Sequence, residues 1–259
     1  MVADSAPVSV SVGTPVKKIT MLAINTNTFW KYDRSGQDLG EEWRQINYND
    51  SAWPQGLALI ADETTTTVEP IRTAISRFTD ADQTYIKTFY FRGTFNWTDP
   101  IDPAGKLTLR HVVDDGAVVY LNGNEIHRFN IAADVTVDAT TDASGHENAY
   151  AGPYDIAITN LVAGKNVLAV EVHQSGGSSS DMVFGAEQTA TVPLGTAGGN
   201  QPVLTITRGA TGLQISWTEG GTLQSSDSVT TGWTDVSGNS PQTVTPPAGS
   251  GAKFYRVRK

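Results

Sequence analysis

The 259-residue chain contains no cysteine, which excludes disulfides, cysteine-ligated zinc and thiol catalysis while saying little about compartment. It also lacks any cluster of Lys or Arg: 18 basic residues stand against 27 acidic ones, for a net charge of −9. The electrostatic footprint that attaches proteins to a phosphate backbone is therefore missing, and nucleic acid is not an expected partner. Long apolar runs are lacking too. The longest, such as Leu57 to Ala61, falls far short of the roughly 20 residues a membrane-crossing helix needs, so no membrane span is expected. Met1 to Val12 has neither the charged n-region nor the apolar h-region of a signal peptide. Catalytic motifs are absent as well: there is no G-x-S-x-G elbow, P-loop or G-x-G-x-x-G, and HENAY at His146 lacks the second His of H-E-x-x-H. The four histidines, His111, His127, His146 and His173, do not have the spacing of zinc ligands.

What is present is period-two alternation. Apolar residues make up 39% of the chain, which also carries six Trp, enough for a globular core. VSVSV alternates from Val8 to Val12. YIKTFYFRGTFNW sets Tyr85, Lys87, Phe89, Phe91, Phe95 and Trp97 on one face and Thr88, Tyr90, Arg92 and Asn96 on the other. LTLRHVV, AVVYL, EIHRF, YDIAIT and KNVLAVEV are further runs rich in β-branched and aromatic residues, separated by Gly, Asp, Asn and Pro. The pattern predicts an all-β protein, an antiparallel β-sandwich or jelly roll, with Pro70 to Phe78 as the one stretch that could take up a short helix. Residues 189–202 (TATVPLGTAGGNQP) lose the alternation and read as a linker. This divides the chain into a jelly-roll domain over 1–188 and a small β domain over 203–259, with Trp217, Trp233, Phe254 and Tyr255 expected to fill the smaller core.

Several residues are candidates for binding. Asp114-Asp115-Gly116 lies between two strands, where an Asx-Gly turn needs no ligand, but two adjacent carboxylates also offer the hard oxygen donors that Ca2+ prefers. With Asp181 or Asn122 as a further donor they form the candidate metal set Asp114, Asp115 and Asp181. Asn122-Gly123 is a type I′ hairpin signal. The strand Val167 to His173 puts Leu168, Val170 and Val172 on one face and Val167, Ala169, Glu171 and His173 on the other. Glu171 and His173 are thus roughly 7 Å apart along the strand, as an acid and base pair, a metal site, hydrogen-bonding groups for a sugar, or buried polar residues with Asp181 as the partner of His173. Trp30 and Tyr32 share a face of a short strand, and Trp43 and Trp53 flank NDSAW; exposed rings of this kind stack on sugars, whereas buried ones plug the end of a sandwich. Tyr90 and Arg92 form a comparable candidate.

The segments WKYDRSGQDLGEEWRQINYNDSAWPQG, FYFRGTF, DDGAVVYLNGNEIHR, LVAGKNVLAVEVHQ and SSSDMVF resemble the galactose-binding-like jelly-roll module of large secreted bacterial proteins. More distantly, their order is similar to the non-catalytic sugar-binding domain of β-galactosidases and β-glucuronidases. The resemblance spans Phe29 to Val183 and implies the fold more strongly than any ligand. It departs at Leu57 to Glu63, where LALIADE replaces a Gly-rich stretch. It implies a secreted, extracellular, non-enzymatic accessory module that binds polysaccharide or a cell-surface glycan, with Ca2+ as a stabilising ion. The competing expectation is a self-associating structural protein in which the VSVSV segment adds a strand to a neighbour's sheet.

Overall fold

The computed structural model describes residues 16–64, 68–193, 202, 204–209, 212–218, 220–245 and 252–258. The VSVSV segment, and the self-association expected of it, lies outside these residues, as do positions 194–201 of the expected linker. Two compact units result, one within 16–194 and the other within 195–259.

The larger unit is a sandwich of twelve strands: β1 (Val16–Leu22), β2 (Phe29–Asp33), β3 (Gln55–Leu57), β4 (Ile60–Asp62), β5 (Thr73–Ala74), β6 (Thr88–Trp97), β7 (Lys106–Asp114), β8 (Gly116–Leu121), β9 (Asn124–Phe129), β10 (Tyr150–Ala157), β11 (Gly164–His173) and β12 (Met182–Pro193). The first sheet runs β10-β7-β12-β4-β5, with β1 also on β12, and the second runs β3-β2-β6-β11-β8-β9. β1 and β4 share one edge of β12, β1 pairing with Gln188 to Pro193 and β4 with Met182 to Phe184. Among the described residues, only β4 and β5 pair in parallel. Two single-turn 3-10 segments are the only helices among the described residues. Where a short helix could have formed, Arg72 and Thr73 instead donate their backbone N–H groups to Leu59, so that the stretch is satisfied across strands rather than within a helix. β12 continues five residues past 188, because Thr189 to Thr191 still complete ladders with both β1 and β7.

Alternation assigns the faces. Leu168, Val170 and Val172 of β11 and Phe89 and Phe91 of β6 point between the sheets, where they meet Leu109, Val113 and Phe184 of the first sheet. Phe91 and Phe184 stack with centroids 3.9 Å apart, and Trp30 meets the Phe184 ring edge-on at 4.9 Å. Gly93 makes room for that indole: a Cβ there would lie 2.9 Å from Trp30. At the Asn122-Gly123 hairpin both residues have positive φ, 54° and 89°, as the type I′ reading requires.

The opposite face of β6 and β11 is buried as well, which simple amphipathic alternation does not anticipate. Tyr90, Val118, Tyr120, Val167 and Ala169 form a second apolar layer closed by Trp43, Ile131 and Ala143 from two long loops. Arg92 anchors the first loop. Its Nε donates to Asp50 at 2.8 Å and its Nη1 to the Trp43 and Gln45 carbonyls, with the guanidinium over the Tyr48 ring.

In the smaller unit, β13 (Leu204–Gly209), β14 (Gly212–Trp217) and β17 (Gln242–Val244) form one sheet, and β15 (Thr222–Ser226), β16 (Thr234–Asp235) and β18 (Phe254–Arg258) another. Its core is Ile215, Trp217 and Leu223, with Tyr255 packed against them. Trp233 does not join this core; it lies half-buried under the Arg256 guanidinium, 4.3 Å from the ring centroid. Phe254 is also only half-buried.

Two outcomes follow for stability. Arg92→Met leaves Asp50 and two carbonyls without their donor, and urea denaturation should show a loss of about 3–5 kcal/mol. His111 is buried with both ring nitrogens unpartnered, and burial, with His127 and His146 nearby, pushes its pKa down to about 3 from 6.5. The unfolded chain therefore takes up a proton first, so this contribution to stability is complete above about pH 6.5 and is lost as pH falls toward 3. In a pH series of melts, His111→Leu should flatten that slope.

Candidate functional site

Two polar constellations converge in the larger unit. The first is at the end of the first sheet. Register sets Val183 opposite Asp114 and Met182 opposite Asp62, so the ends of β7, β12 and β4 bring Asp114, Asp181 and Glu63 to one corner. β10 pairs Tyr150 with Val112, which brings Glu147, three residues before Tyr150, to the same place. Carboxylate oxygens of Asp114, Glu147 and Asp181 all lie within 4.8 Å of one another. Asp114 is 2% exposed, and its Oδ2 is buried without a hydrogen-bond partner. Burial, followed by the charges of Asp181, Asp115 and Glu147, pushes its pKa up to about 8. Burial and Glu63 raise Asp181 too. Such an uncompensated group of oxygen donors is able to bind a metal ion.

Asp115, expected as a ligand beside Asp114, does other work. Its Oδ1 accepts the His146 N–H at 3.0 Å, and its Oδ2 accepts the Ser175 N–H at 2.7 Å and the Ser179 hydroxyl at 3.0 Å. The carboxylate accepts from two loops, while its charge still bears on the neighbouring Asp114. Glu147 takes its place in the cluster. Asn122 is remote from it in its bonding, with its side chain donating to Asn160 and Asn166 and accepting from the Val167 N–H.

The second constellation lies on the outer face of the second sheet. The Tyr120 hydroxyl donates to Glu171 Oε1 at 2.5 Å, and Glu171 Oε2 is 3.5 Å from His173 Nε2. His173 Nδ1 is 3.0 Å from both the Thr88 hydroxyl and the Thr141 carbonyl, while Thr88 donates to the Ala139 carbonyl. Ala143 N–H donates to the Gln174 carbonyl next in the chain. Burial, and then the Glu171 charge, raises the pKa of both the Tyr90 and Tyr120 phenols. The expected partner of His173, Asp181, belongs to the acidic corner instead. Of the expected ligand-binding residues, Trp30 is wholly buried in the central core, with Tyr32 half-buried against it. Tyr90, Arg92, Glu171 and His173 are buried beneath the loops. Their rings and charges hold loops in place and offer no open stacking face.

Above this array lies a polar hollow of about 370 Å³ between the loop around Arg44, the β8–β9 hairpin and residues 135–137. Sequence reasoning missed it, because its walls come from three segments with no shared motif. The different roles of the adjacent aspartates are measurable. Asp115→Ala should lower stability by about 2–4 kcal/mol, since it leaves three donors unpaired, whereas Asp114→Asn, which replaces a carboxyl that burial and its acidic neighbours already keep largely protonated at neutral pH, should leave stability nearly unchanged in metal-free buffer; thermal melts of the two variants make the comparison.

No family model matches the chain, and no curated protein matches it. Among solved structures it is similar to a beta-glucuronidase from glycoside hydrolase family 2, with a TM-score of 0.43, 15% identity, and coverage of 96% of this chain and 27% of that one. It is also similar to a beta-glycosidase from Bacteroides vulgatus, with a TM-score of 0.40, 15% identity, and coverage of 81% and 25%. A third is the Bacteroides uniformis beta-glucuronidase, with a TM-score of 0.40, 16% identity, and coverage of 95% and 28%. The chain spans between a quarter and a third of the length of these three proteins.

Proposed function

We propose that the chain is a non-catalytic carbohydrate-binding accessory module of a secreted protein, stabilised by a calcium ion held by Asp114, Glu147 and Asp181. The observation that carries this reading is how the polar groups are used. The array that most resembles an acid and base pair, Glu171 with His173, is buried under loops and bonded to Tyr120, Thr88 and Thr141. The uncompensated group, Asp114, sits among carboxylates rather than beside a nucleophile. Oxygen-only donors favour a hard cation; calcium takes six to eight such ligands, so backbone carbonyls or water would complete the shell. The ion would neutralise the repelling carboxylates and tie the corner together. The carbohydrate part of the reading rests on the sequence resemblance and on a net negative, hydroxyl-rich surface that suits neutral polysaccharide.

Retention on insoluble polysaccharides, with assays for released reducing sugar alongside, tests the function. Binding without release supports it; release of sugar at enzymatic rates, or no retention on any glycan, overturns it. For the ion, 100-fold excess of calcium over Kd should stabilise the fold by about 2.7 kcal/mol against chelator, seen as a raised melting midpoint. Glu147→Gln should shrink that shift. A midpoint indifferent to calcium would remove the ion from the account.

A further inference from the structure

The hollow above Tyr120 combines a rigid floor with charges that are already paired. Tyr120 forms the floor, its hydroxyl fixed on Glu171 and its ring covered by the Arg44 guanidinium 4.6 Å from the centroid. Arg44 pairs with Glu41 at 2.6 Å, and its Nε is enclosed without a partner. Opposite, Arg128 holds both oxygens of Glu125 at 2.9 Å and donates through Nη1 to the Ala132 and Val135 carbonyls, each at 2.8 Å. The wall is completed by the half-buried Val137. At about 370 Å³ the space falls at the small end of the range of small-molecule sites, roughly 300–1,000 Å³.

We infer that this hollow binds a neutral saccharide unit through its hydroxyl groups. This deepens the carbohydrate-binding reading and rests on it. Two arginines and two glutamates give the lining no net charge, so an anionic ligand meets a glutamate beside each arginine and a cationic ligand meets the reverse. A neutral polyol suits both kinds of group. Its hydroxyls donate to the free lone pairs of Glu41 and Glu125, and its oxygens accept from the guanidinium edge of Arg44, all charge-assisted bonds. Val137 offers a small apolar surface to the C–H face of the sugar. Arg128 makes no new bond; four hydrogen bonds already lock it, and it holds Glu125 in position. Because Arg128 holds Glu125 in place before the ligand arrives, little ordering cost is added at that side chain on binding.

The test uses the full chain in isothermal titration against neutral and uronate-containing oligosaccharides, with calcium present throughout. Wild type should bind a neutral oligosaccharide. Glu125→Gln should weaken that binding about ten-fold, the loss of a charge-assisted acceptor, and Thr136→Trp, an exposed position that would fill the hollow, should abolish it. Both variants should keep the wild-type melting midpoint. If wild type binds no saccharide, the carbohydrate-binding reading falls and this inference with it. If wild type binds but both folded variants bind within about two-fold of it, a change too small for a lost hydrogen bond, the hollow alone is ruled out. Preference for uronates over neutral sugars would overturn the assigned ligand class.

Discussion

The larger unit depends on burying both faces of the β6–β11 pair. The inner face is an ordinary sandwich core, in which Phe89, Phe91, Leu168 and Val170 pack on Phe184 and its neighbours. The outer face would normally meet water. Here it is sealed by two loops that bury Trp43, Ile131 and Ala143 and pack the partly buried Leu39, Tyr48, Trp53 and Val137 against them. These contacts offset only part of the entropy of ordering long loops. Hydrogen bonds from the sheet supply what is missing: Arg92 secures residues 43–50, while Thr88, His173 and Gln174 secure residues 139–143. Half-satisfied buried polar groups are costly, which makes these bonds a condition of the fold rather than an ornament of it.

This arrangement explains how the sequence could be right about strands while leaving its polar and aromatic candidates between a structural and a binding role. Face assignment along β6 and β11 was legible, because side-chain alternation is local. The Asn122-Gly123 hairpin was legible for the same reason. What alternation cannot convey is whether the second face is wet. Tyr90 and Arg92 look like a ligand-binding pair when that face is taken as open, and Glu171 and His173 carry a buried polar reading beside the ligand-binding one; with the face closed, all four lie beneath the loops. The covering loops carry no periodicity that would announce their position. Trp30 had both readings from sequence, and its complete burial against Phe184 selects the core one.

The acidic corner was half legible. Asp114 stands at a strand end and Asp181 before the next one, so their meeting needs only the pairing of β7 with β12. Glu147 enters from the loop before a third strand, 33 positions along the chain from Asp114 and within a segment that suggested only a failed zinc motif. Its contribution follows from register, which is non-local. Asp115 illustrates the converse: it is adjacent to Asp114 in sequence, but its carboxylate is taken up by the donors of His146, Ser175 and Ser179. Rigid loops held this way also set the walls of the hollow above Tyr120, so the same buried network serves the fold and shapes the binding surface.

Hydrogen exchange read residue by residue tests the sealing of the outer face most directly. The Ala143 and Ser144 amides, bonded to the Gln174 and Asn130 carbonyls, should exchange nearly as slowly as those of β11, and Gln45 and Tyr48 in the other loop should be protected as well. Exchange of these loop amides at the rate of an unstructured chain, with the strands still protected, would mean that the face is open and would contradict the account.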